Sequence, residues 1–171
     1  MSTDEQFSGI TLRKPTVEDG AALHHLVNEC KPLDENSVYC NVLQCTHFAD
    51  TCVVAERDSD GRLIGFVTGY RMPADPHVYF LWQVGVSEAG RGHGLGKKMI
   101  KAILARDFCQ GVTELNTTIT KSNEASRGLF ASFARDEGAE MTEHEWLTEV
   151  LLDGHSAEFL FRIAPLSTPR R

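Results

Sequence analysis

The 171-residue sequence predicts an α/β (α+β) fold, and three observations carry that expectation. Runs rich in β-branched and aromatic residues alternate along the chain with runs whose apolar residues recur at helical spacing. At one junction, Gln83 to Lys98, an apolar run (Val78-Tyr-Phe-Leu-Trp82) passes through a cluster of glycines into the helical pattern of Met99-Ile-Lys-Ala-Ile-Leu104. No internal repeat, low-complexity segment or linker divides the chain, and its length suffices to bury about two-thirds of the unfolded surface in one core. A single domain over residues 9–164 is therefore expected, with 1–8 and 165–171 as flexible termini.

Taken in order, Gly9-Ile-Thr-Leu-Arg-Lys14 alternates apolar with polar side chains and reads as a first strand closed by Pro15. Thr16-Val-Glu-Asp19 offers an N-cap with acids in the first turn, and Ala22, Leu23, Leu26 and Val27 give the helix that follows an apolar face. That helix ends near Cys30, because Pro32 restricts the residue before it. Leu33 to Tyr39 begins as a polar loop, with Asn36 or Ser37 placed to cap a second helix reaching about Thr46. Thr51–Glu56 and Leu63–Tyr70 read as strands joined by the hairpin turn Asp58-Ser-Asp-Gly61. After a turn from Pro73 to Pro76 comes the strand Val78–Val86, interrupted by Gly85, which predicts a bulge or the close approach of another backbone or a ligand. A helix from Leu95 to about Phe108, a Thr-rich strand Glu114–Thr120, and a helix capped by Asn123 or Ser122 and stopped by Gly138 follow. Glu145–Leu152 and Glu158–Ile163 read as two closing strands around Asp153-Gly-His-Ser156.

The glycine turn carries the chemistry. Glycines at 90, 92, 94 and 96 permit backbone dihedrals closed to other residues, and the opening helix adds unpaired N–H groups and the positive end of its dipole. The segment is built to hold an anion such as a diphosphate. A dinucleotide fingerprint G-x-G-x-x-G fails, since Gly92-x-Gly94 meets Lys97 where the third glycine belongs. A P-loop fails twice, with Arg91 in place of the first glycine and Lys98 in place of the Ser or Thr that holds magnesium. An ordinary glycine-rich turn is the competing interpretation.

Composition excludes other classes. The formal net charge of -7 disfavours a nucleic-acid partner and weakly favours a cationic or amine-bearing one. No apolar stretch approaches a membrane span and the N-terminal residues do not resemble a signal peptide, so a cytoplasmic protein without membrane contact is expected. The five cysteines (30, 40, 45, 52 and 109) lack any C-x-x-C pair and read as free, mostly buried thiols. His144-Glu145 has Thr148 where a zinc motif needs its second histidine, and no metal is expected.

Arg91-Gly-His-Gly-Leu-Gly96, preceded by Val84-Gly-Val86, resembles the R-x-x-G-x-G acetyl-coenzyme A signature of the GNAT acetyltransferase superfamily. The order of elements over residues 9–164 is similar to that whole fold, which implies a mixed, mostly antiparallel central sheet of about seven strands flanked by helices. It also implies that the pantetheine arm of the cofactor lies along the strand ending at the glycine turn, where Gly85 sits. Three further stretches, Leu33-Asp-Glu-Asn-Ser-x-Tyr39, Cys45 to Glu56 and Leu81-Trp-Gln-Val84, resemble the family members that acetylate the 4-amino group of L-2,4-diaminobutanoate in ectoine biosynthesis.

The resemblance implies acetyl-coenzyme A as cosubstrate, held by Val84, Val86, Arg91, Gly92, His93, Gly94, Leu95, Gly96, Lys97 and Asn123. For Arg91 and Lys97 the alternative is a solvated side chain, and for Asn123 a plain helix cap. The acceptor, a small diamino acid, is expected at Asp34, Tyr39, Trp82, His155 and Glu158. Asp34, Glu158 and Tyr39 are the candidates for catalysis, one carboxylate anchoring the substrate and the other accepting a proton, with the assignment open. Edge-strand acid, core aromatic and backbone-satisfied histidine are the structural alternatives for Glu158, Trp82 and the histidines 47 and 155. Many family members are thought to protonate the departing thiolate with a tyrosine seven residues after the asparagine of the last helix; this chain has Phe130 there. The expected reaction is direct attack by a neutral amine, without an acetyl-cysteine, in a homodimer. Acetylation of another small polyamine or of a protein amine, and a non-catalytic acyl-coenzyme A sensor, are the alternatives.

Overall fold

The computed structural model describes residues 4–167, which fall into two compact units. The first, up to Tyr70 together with Trp82–Gln110, contains β1 (Glu5–Phe7), β2 (Ile10–Arg13), α1 (Gly20–Glu29), α2 (Val38–Thr46), β3 (Val53–Arg57), most of β4 (Leu63–Met72), the end of β5 (Asp75–Val86) and α3 (Leu95–Leu104). The second contains the start of β5, β6 (Glu114–Thr120), α4 (Glu124–Glu137), β7 (Glu140–Leu147) and β8 (Glu158–Ala164). Strand order is β1-β2-β3-β4-β5 in the first unit and β5-β6-β8-β7 in the second, eight strands in the mixed sheet where about seven are expected. β5 and β6 run parallel, with Val78 opposite Glu114 and Leu81 opposite Thr117; β1–β2, β2–β3, β3–β4, β6–β8 and β7–β8 are antiparallel.

In the first unit Leu23, Leu26 and Val27 of α1 pack with Cys45 of α2, Val54 of β3 and Leu63 and Phe66 of β4, the faces that periodicity assigns to the core. The start of α1 is set by charge: the Arg13 guanidinium binds both Asp19 oxygens at 2.7 and 2.9 Å and reaches Glu56 Oε2 at 2.7 Å. Burial alone would raise the Asp19 pKa, but the hydrogen bonds from Arg13 and from the Thr16 amide outweigh it and hold this carboxyl below the usual range. Thr16 thus opens the helical segment, although its first turn is a 3-10 turn.

Four expectations are corrected. The chain is already in a strand at Glu5–Phe7, paired with β2, and Leu166 is buried with its N–H bonded to Thr113 O at 2.8 Å. Ordered chain thus extends past residues 9 and 164 at both ends; residues 1–3 and 168–171 lie outside the described residues. α3 stops at Leu104, because Arg106 turns to extended dihedrals and its guanidinium bonds the carbonyls of Ala49, Asp50 and Cys52. The penultimate strand is Glu140–Leu147, not Glu145–Leu152. From Thr148 the chain coils through Leu152 N to Thr148 O and Gly154 N to Glu149 O bonds, leaving Val150 and Leu151 exposed.

At Gly85 side chains, not another backbone, make a close approach: a Cβ there would stand 2.5 Å from Phe66 Cε1 and 2.9 Å from Cys30 Sγ. Gly85→Ala is accordingly expected to lower stability by about 1–3 kcal/mol in urea unfolding, with Phe66→Leu in the same chain restoring part of it. An unchanged midpoint would show that the Phe66 ring is free to move aside.

Candidate active site

The glycine turn is built on close packing. Beyond β5 the Ser87 N–H donates to Ile64 O at 2.9 Å, and a Cβ on Gly90 would lie 2.8 Å from that same oxygen, so the chain can pass β4 only as glycine. Leu95, Gly96, Met99, Ile100 and Ile103 bury one face of α3, and Gly65 of β4 admits Leu95 and Met99 against its bare Cα. Gly92 and Gly94 have φ of 84° and 62°, the left-handed region, and a Cβ on either would meet nothing within 4 Å.

The N-terminus of α3 is therefore fixed and has open space in front of it. Ser37 caps α2 by accepting from Cys40 N, and Asn123 caps α4 by accepting from Ser126 N, but the N-cap of α3 is Gly94 and its first turn carries no acid. First-turn N–H groups and the positive dipole end are left for an anion from outside, which fits a diphosphate. Arg91, Gly92, His93 and Gly94 are exposed there and Lys97 is half-buried, while Lys98 sits over the Phe7 ring at 3.9 Å. Val84 and Val86 lie half-buried on β5.

Of the residues expected at the acceptor, Asp34 is exposed in the loop between α1 and α2 of the same unit, and Tyr39, the second residue of α2, is 72% exposed. Trp82 is 39% exposed and so is not the core aromatic of the alternative reading. Its ring stands edge-on to Tyr70 (6.2 Å, 89°), which in turn meets Phe48 (6.2 Å, 55°). Next to it, Gln83 donates to Asp34 O and accepts from Asn36 Nδ2. The first and third of the stretches that carry the closer resemblance thus meet at Gln83, and Phe48 of the second is linked to Trp82 only through Tyr70. Tyr70 and Gln83 were not singled out from sequence; only the place of Gln83 inside Leu81-Trp-Gln-Val84 pointed to it.

In the second unit Asn123 Oδ1 accepts from Ser126 N at 3.1 Å, so the plain cap is present. Phe130 is 1% exposed and belongs to the core. Glu158, half-buried, opens β8 opposite Thr120 of β6 and Leu147 of β7. His155 is exposed in the preceding turn, its N–H bonded to Leu152 O.

Four of the five thiols are poor nucleophiles. Burial pushes Cys45 and Cys52 up to about 12 and raises Cys30 and Cys40 as well, so these four are thiols, not thiolates, near neutral pH. Among the described residues no group of three or more His, Cys, Asp or Glu is placed to hold a metal ion, and no helix is long and apolar enough to cross a membrane.

Comparison with known proteins shows the family. The family model described as acetyltransferase (GNAT) family matches residues 20–134. The chain is 46% identical to an L-2,4-diaminobutyric acid acetyltransferase of Bordetella parapertussis, over 92% of this chain and 86% of that one. It is 43% identical to another of the same name from Marinococcus halophilus, over 96% and 95%. Among solved structures, the diaminobutyrate acetyltransferase of Paenibacillus lautus, in complex with its substrate L-2,4-diaminobutyric acid and coenzyme A, superimposes with a TM-score of 0.87 at 34% identity, covering 95% of this chain and 98% of that one. With a family model that matches residues 20–134 and relatives alike over nearly their whole length, the chain belongs to the acetyltransferase (GNAT) family.

Proposed function

We propose that this chain transfers the acetyl group of acetyl-coenzyme A to the 4-amino group of L-2,4-diaminobutanoate, giving 4-acetamido-2-aminobutanoate and coenzyme A, the acetylation of ectoine biosynthesis. The observation that carries the reading is the likeness, over 95% of this chain, to the P. lautus enzyme bound to that substrate and coenzyme A. The cofactor's diphosphate sits on the N–H groups of the glycine turn, with Arg91 and Lys97 adding positive charge and His93 at its edge.

The amine nitrogen attacks the thioester carbonyl carbon, the C–S bond breaks, and the nitrogen gives up a proton. An alkyl ammonium has a pKa of roughly 10, so neutralising it at pH 7 costs about 4 kcal/mol unless the site lowers that value. One carboxylate anchors the 2-ammonium and another accepts the proton directly or through water; Asp34, with Tyr39 and Trp82 of the same unit, is the candidate for one of these two roles. With Phe130 buried in the core, the departing thiolate leaves as such or takes its proton from water or Tyr39. The elevated cysteine pKa values support direct attack over an acetyl-cysteine. The working form is a homodimer in the cytoplasm, as the resemblance implies.

Thiol release from acetyl-coenzyme A with L-2,4-diaminobutanoate, and NMR of the product, test the reading. Acetyl on the 4-nitrogen is expected; no release with this acceptor, or mainly 2-acetyl product, would overturn it.

A further inference from the structure

Both ends of the Gln83 side-chain amide engage one loop. Nε2 donates to the main-chain carbonyl of Asp34 at 2.9 Å, and Oε1 accepts from Asn36 Nδ2 at 3.0 Å. A carbonyl can only accept, so the Asp34 contact dictates which way the amide points and leaves the oxygen for Asn36. From Asp34 to Ser37 the chain has no regular secondary structure. Leu33 packs against the core at one end, and Ser37 caps α2 at the other by accepting from Cys40 N at 3.0 Å. Between these anchors the Asp34 side chain is exposed, and what holds its main chain is a residue of β5.

We propose that Gln83 is a positioning residue that latches the Asp34 loop to β5 and thereby sets where the Asp34 carboxylate meets the acceptor. The inference rests on Asp34 being an acceptor-side group. A carboxylate on an irregular loop is held less precisely than one tied to a strand, and acceptor selection demands placement within a fraction of an ångström. The latch also explains why Leu33-Asp-Glu-Asn and Trp-Gln-Val occur together in this chain: Gln83 bonds two residues of the first stretch while its neighbour Trp82 joins Tyr70.

Gln83→Met keeps length and removes both bonds. It is expected to raise the KM for diaminobutanoate about ten-fold while the KM for acetyl-coenzyme A and the thermal midpoint hardly change, the loss expected from one to two hydrogen bonds. Asn36→Ala should act in the same direction but less, and the double variant should be no worse than Gln83→Met alone. Amide hydrogen exchange gives a readout independent of the acceptor: peptides over residues 31–39 should exchange faster in Gln83→Met, while those over 91–104 should not. Unchanged acceptor KM and loop exchange, or a parallel rise of both KM values with a lowered thermal midpoint, would overturn the latch. Should the unsubstituted protein fail to acetylate diaminobutanoate, the functional reading falls by itself, and loop exchange still decides for or against the latch.

Discussion

Gly94→Asp is expected to weaken coenzyme A binding by about 100-fold or more while leaving the fold intact. The position has left-handed dihedrals and open space where a Cβ would go, so the new side chain projects in front of α3 instead of into the core. Aspartate tolerates that conformation better than most residues and is a favoured N-cap, and its charge suits the dipole end it would occupy. Those features keep α3 in place. They also put a carboxylate on the N–H groups assigned to the diphosphate, which removes charge-assisted bonds to the ligand and adds repulsion from a like charge. Gly94→Ala separates the two effects, since it brings the backbone strain without the anion and should cost far less affinity. Calorimetric titration with coenzyme A, beside thermal unfolding, checks the result; an affinity within about three-fold of the parent in a folded Gly94→Asp protein would remove the glycine turn from the binding site.

Diaminobutanoate should be preferred over ornithine by about 10–200-fold in kcat/KM, the discrimination that one methylene supports. With the 2-ammonium and carboxylate anchored, the longer chain carries its terminal nitrogen past the position from which the shorter one reaches the thioester carbonyl. Asp34→Asn keeps the shape of the side chain and removes its charge, so it should lower acceptor use without changing coenzyme A affinity. Steady-state kinetics with both amines and calorimetry with coenzyme A are the measurements. Equal use of the two amines would mean that the substrate is not held by its amino-acid end, and with it the proposed anchoring would fail.

Local signals determined much of this protein from sequence alone. Periodicity and caps placed α2, β6 and α4 within a residue or two, because Ser37, Asn123 and Gly138 act on the backbone next to them, whereas α1 opens three residues later than its Thr16 cap implies. The glycines at 90, 92, 94 and 96 ahead of an apolar helical pattern predicted the uncapped start of α3 for the same reason: an unpaired helix N-terminus is a property of a few consecutive residues. Where a signal depended on partners distant in the chain, sequence misled or was silent. Val150 and Leu151 look like strand residues, yet local turn bonds coil them into solvent, and the strand forms earlier, where Glu140–Leu147 finds β8. Gly85 announced a close approach but not its partner; the Phe66 ring and Cys30 thiol come from another strand and from the end of α1. Gln83 read as one polar residue in a strand, and only the folded first unit brings it to Asp34 and Asn36, 49 and 47 residues away, as an amide with both ends engaged. Hydrogen bonds from a side chain to groups so far along the chain leave no periodic trace, so tertiary structure alone decides them.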